Sequence, residues 1–74
     1  MNAEYVVVVE QSETGFGVYV PDLPGCVAVG ETREETLQLI REAIELHVES
    51  LREAGEDIPP PTSTAESVVV HTSA

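Results

Sequence analysis

The 74 residues make one domain, and a chain this short buries only about 60% of its unfolded surface, which leaves a marginal core. Fourteen acidic residues against three arginines and no lysine, a formal net charge of -11, exclude the cationic phosphate contacts on which nucleic-acid affinity rests and favour a basic protein partner. No apolar run approaches the ~20 residues of a membrane span, and no basic start precedes an apolar stretch, so a cytoplasmic location is expected.

Taken in chain order, the β-branched run Tyr-Val-Val-Val-Val-Glu predicts a first strand over about residues 4–10. Tyr5, Val7 and Val9 share one face; Val6, Val8 and Glu10 share the other, so both faces are largely apolar. A polar turn ending at Gly15 leads into a second strand over 16–20, with Phe16, Val18 and Val20 on one side. Pro21 and Pro24 cannot donate ladder hydrogen bonds, and Pro24-Gly25 is a turn signal. Pro21, Asp22, Pro24, Gly25 and Cys26 therefore form a corner, followed by a short third strand over 27–30. Thr32 with Glu35 is a capping box, and Gly55 is a helix stop, which predicts a helix over about 33–54. Leu37, Ile40, Ile44, Val48 and Leu51 recur at helical spacing, and Leu39, Ala43 and Leu46 widen that face beyond the usual ~100° stripe. Ile58 and three prolines give a stiff connector, and residues 67–71 read as a fourth strand that pairs in its own sheet or swaps onto a second chain.

Candidate chemistry is sparse. Cys26 has no histidine near it in sequence, and a small buried thiol is the commoner role. His47 lies at the edge of the apolar helical face and reads as an interface filler; His71 is given no role. Asp22 and Asp57 are the only aspartates, too few, with Glu10, for the converging carboxylates of a metal-dependent nuclease. Asp22 is expected to bond its own turn backbone. No catalytic residue, metal or cofactor is expected. One cysteine makes no intrachain disulfide, and no Cys/His cluster has zinc spacing. Small folds need a staple, so a homodimer or larger is expected.

The succession Gly-Phe-Gly-Val-Tyr-Val, Pro-Asp-Leu-Pro-Gly-Cys, Val-Ala-Val-Gly-Glu-Thr, a Thr-Arg-Glu-Glu-capped helix and Gly-Glu-Asp-Ile-Pro-Pro resembles the HicB-like antitoxins. The resemblance covers residues 4 to about 61. It implies an α+β, degenerate ribonuclease H-like fold, β-β-β-α-β: an antiparallel three-stranded meander, one long helix and a short parallel fourth strand. It also implies a partner, a basic HicA toxin that cleaves messenger RNA and whose active site the antitoxin masks. Longer members carry a C-terminal DNA-binding domain. Here 13 residues follow Pro61, so a short form without operator binding is expected.

The expected function is thus a binding module that sequesters a HicA-type toxin. The alternative is a solitary homo-oligomeric regulatory or ligand-binding adaptor without a toxin. Expected contact residues, for partner or for a second copy, are Val6, Val8, Leu39 and Leu46, with Glu42, Glu45 and Glu49 beside the leucines.

Overall fold

The computed structural model describes residues 3–73. Three short strands form an antiparallel sheet in the order β1 (Val8–Ser12), β2 (Gly15–Tyr19), β3 (Val27–Gly30), and one helix, α1 (Arg33–Glu53), packs on it. The register sets Val8 opposite Tyr19 and Tyr19 opposite Val27; Val9, Val18 and Ala28 form the next row. Glu13 and Thr14 make a two-residue loop between β1 and β2. The Ser12 hydroxyl closes it by donating to the Gly15 carbonyl at 3.2 Å. Gly15 takes φ +155°, and a Cβ there would sit 2.5 Å from the Gly30 carbonyl oxygen, so this position has no room for a side chain.

The first ladder begins at Val8 rather than at residue 4. The second strand explains this. Continuing the register would set Val6 opposite Pro21, which has no N–H to donate, while the Val20 N–H faces β3 and donates to the Cys26 carbonyl at 3.2 Å. Residues 4–7 therefore run ahead of the ladder, extended and mostly half-buried, with no strand of this chain beside them. For the same reason β2 ends at Tyr19, not at residue 20.

The corner at residues 20–26 is two consecutive turns. Leu23 N–H donates to the Val20 carbonyl at 3.1 Å, and Cys26 N–H donates to the Leu23 carbonyl at 3.0 Å. Pro24 and Gly25, with Gly25 at φ +84°, occupy the central positions of the second turn, as a type II turn requires. The tip of the corner points inward, and Leu23 is 0% exposed.

At the helix start the Thr32 hydroxyl accepts from Glu35 N–H at 3.0 Å. The Glu35 carboxylate reaches back one residue further than a regular capping box, to the Glu31 N–H at 2.6 Å. Gly30 allows this approach, because a Cβ there would meet Thr36 Oγ1 at 2.6 Å and Glu35 Oε1 at 2.8 Å. Thr36 is thereby buried under the first turn, its hydroxyl donating to the Thr32 carbonyl at 2.7 Å. Thr36 thus takes the buried place at the helix start, and Leu37 lies at the edge, 37% exposed, although its spacing put it on the buried stripe. At the other end Gly55, at φ +72°, closes a Schellman motif: Glu56 N–H donates to the Leu51 carbonyl and Gly55 N–H to the Arg52 carbonyl. Ala54 is the C-cap, so the helix stops one residue before the expected end.

The core consists of Val18, Val20, Leu23, Cys26 and Ile40, with Tyr5, Val7, Val9, Ala28, Ala43, Ile44 and Val48 packed around it. The helix covers only the sheet face that carries Val9, Val18 and Ala28. After the helix the chain returns across the sheet end. The Tyr5 hydroxyl donates to the Pro59 carbonyl at 2.6 Å, and Ser63 is held by Asp22. The expected fourth strand is not paired: residues 67–71 are exposed and, among the described residues, joined to no strand. Among the described residues no helix is long and apolar enough to cross a membrane.

Candidate functional site

Two surfaces are left without a covering element. The first is the solvent-side flank of α1. Leu39 and Leu46, two turns apart, line one side of the helix, and Leu46 is 72% exposed. Glu42, Glu45 and Glu49 are exposed around them. Gln38 donates to Glu42 at 3.0 Å, and Arg52 pairs with Glu49 at 3.3 Å. That ion pair is exposed and contributes little to stability; it neutralises one of the acids and leaves the face strongly negative. Towards the helix start, Leu39 meets Phe16 in a depression rimmed by Glu10, Glu31 and Glu35. The flank thus offers apolar anchors inside an acidic border.

The second surface is the uncovered sheet face. Alternation puts Val6 and Val8 there, both half-buried. The register adds Tyr19 and Val27 beside Val8, and Val29 beside Gly17 and Glu10. Val29 is 76% exposed, and Gly17 leaves open space above its backbone. Tyr19, Val27 and Val29 are contributors that the sequence pattern did not single out. Val27-Ala-Val29 carries a signal, two large residues flanking a small one, but not which of the two faces is inward.

The corner residues take structural positions. Cys26 is buried, and burial pushes its thiol above the ordinary range, the reverse of an activated nucleophile. Asp22 does not cap its own turn. Its carboxylate accepts from Ser63 N–H at 2.9 Å, Ser63 Oγ at 2.8 Å and Thr62 Oγ1 at 3.2 Å. These bonds, first the one from the Ser63 backbone, hold its pKa below the usual carboxylate value. A depressed carboxylate stabilises the folded form above its unfolded pKa, and that contribution is lost as pH falls through the folded value. The clamp is therefore intact at neutral pH and opens in acid, below the ordinary carboxylate range. Asp22→Ala is expected to speed hydrogen exchange of the Ser63 amide at pH 7 without altering the helical circular dichroism. Unchanged exchange would mean that the carboxylate does not hold the segment. His47 is half-buried on the helix and His71 is exposed. Among the described residues no group of three or more His, Cys, Asp or Glu side chains converges on a metal site.

The chain matches, over residues 5–72, the family described as HicB-like antitoxin of bacterial toxin-antitoxin system. A UPF0150 protein of Thermoplasma acidophilum is 42% identical over 69 residues, which cover 92% of this chain and 97% of that protein. Antitoxin HicB 2 of Photorhabdus laumondii is 35% identical over 68 residues; these cover 92% of this chain and 49% of that protein, so the chain spans about half its length. A chain of the solved HicA3 and HicB3 toxin-antitoxin complex is similar in fold, with a TM-score of 0.68 and 32% identity, covering 80% of this chain and 70% of that one. The family match over most of the chain and the identity to these relatives show that the chain belongs to the HicB-like antitoxin family of bacterial toxin-antitoxin systems.

Proposed function

We propose that this protein acts by binding, sequestering a small basic toxin of the HicA type in the cytoplasm and masking the toxin's active site. The observation that carries this is Leu46, exposed on a helix face otherwise acidic, in a fold whose solved counterpart comes from a HicA3 and HicB3 complex. Acidic side chains steer a cationic partner, and exposed leucines anchor it once water is excluded. The proposed contact set is Leu39 and Leu46, with Glu42, Glu45 and Glu49 as its charged border. The complete fold in this reading is ribonuclease H-like, with residues 67–71 becoming a fourth strand when they meet a free sheet edge. Such a shape needs no catalytic set to do this work.

The charged border gives the first test. With a basic HicA-type toxin as partner, replacing Glu42, Glu45 and Glu49 together by glutamine should slow association about tenfold at low salt, with a flatter dependence on ionic strength. Dissociation should change much less, because rim charges act on encounter. Stopped-flow or surface-based kinetics at two salt concentrations reads both. An association rate that does not respond to the triple substitution or to salt would remove the acidic helix face from the interface.

A further inference from the structure

The chain is more extended than its mass requires. Its Cα radius of gyration is 14.7 Å, against about 11 Å for a compact domain of this length. It exposes 6018 Å² for 8.0 kDa, where a compact monomer would expose about 4,450 Å². The excess, about 1,570 Å² per chain, is larger than the roughly 800 Å² that each partner contributes to a standard stable interface.

Much of this excess has a visible source. Past the Asp22–Ser63 clamp, residues 64–73 are all exposed, and the molecule measures 52 × 26 × 20 Å. The arm is not polar throughout: Val68, Val69 and Val70 stand in water, Val69 at 99% exposure. The other end of the chain shows a complementary defect. β1 is an edge strand, and residues 5–7 extend it beyond its ladder. Over residues 5–9 this edge is uncharged and mostly β-branched, a template for strand addition. It is apolar on both faces, and so is the arm, with Val68 and Val70 on one side and Val69 on the other. β3 matches the arm less well: it has four residues and a single small side chain, Ala28, on its inner side.

We propose that residues 67–71 of one copy pair, as an added strand, along the open edge of β1 and residues 5–7 of a second copy, and that the two copies exchange arms reciprocally. The Asp22 clamp sets the direction in which each arm leaves its own domain. The interface is independent of the acidic helix flank. Its salt response has the opposite sign to toxin capture: two chains of charge -11 repel, so added salt tightens the dimer.

Sedimentation of the whole chain should show a dimer at micromolar concentration, strengthened between low and moderate salt. Val69→Pro removes a strand donor from an exposed arm and should weaken the dimer at least tenfold, with the helical circular dichroism unchanged. Mixing Val6→Cys chains with Val69→Cys chains under mild oxidation should give a mixed interchain disulfide, since Cys26 is buried and does not compete. A wild-type monomer at 100 µM, or a dimer indifferent to Val69→Pro, overturns the proposal. So does an intrachain disulfide in a monomeric chain carrying both Val6→Cys and Val69→Cys, which would show the arm folding back on its own β1.

Discussion

Leu23→Ala is expected to destabilise the fold by about 2–5 kcal/mol, through lost burial and the cavity left behind. Leu23 is 0% exposed at the tip of the corner, between β2 and the helix-covered core. A domain of this size has roughly 4–11 kcal/mol of stability in all, so one side chain holds a large share of it. The two turns that place Leu23 close on its own N–H and carbonyl and survive the truncation. The loss therefore reports packing rather than a broken loop. Thermal melts at one fixed protein concentration, since self-association raises the melting point, should fall by roughly 10 °C or more. Leu23→Met, which conserves volume, should cost less than about 1.5 kcal/mol. A melting point within two degrees of wild type for the alanine variant would show that the corner is not part of the core.

Leu39→Asp combined with Leu46→Asp is expected to weaken toxin binding by about 2 kcal/mol per anchor, roughly 30-fold each, and chiefly by faster dissociation. Each aspartate removes an apolar anchor and puts a carboxylate into a contact that must shed water. Both leucines are exposed and outside the core, so the fold should hold, with circular dichroism and melting as the control. The contrast with the glutamate triple is the informative part, since the acids change how fast the complex forms and the leucines how long it lasts. Sedimentation of the same variant should still show the dimer, because the proposed arm exchange uses a different edge. If toxin is neutralised at wild-type strength, the sheet face of Val8, Tyr19, Val27 and Val29 becomes the docking surface.

Much of the architecture is local chemistry and could be read from the residues. Thr32 and Glu35 start the helix and Gly55 ends it, because caps are made within a few residues of the chain. Pro24-Gly25 makes a turn wherever it stands, since proline sets one φ and glycine tolerates the other. What the residues do not contain is which groups meet across the fold. Asp22 looked like a turn residue bonding its own backbone, yet its partners lie some forty positions away, at Thr62 and Ser63. Leu37 has the spacing of a core residue, but Thr36, packed close to Gly30, is the buried side chain of that turn and Leu37 stays at the edge. Alternation along β3 separates Ala28 from Val27 and Val29, and only the position of the helix decides that the alanine goes in and the valines stay out. The valine run at 68–70 has the composition of a strand; a strand also needs an edge beside it, and that edge is a property of the assembled sheet, not of the run.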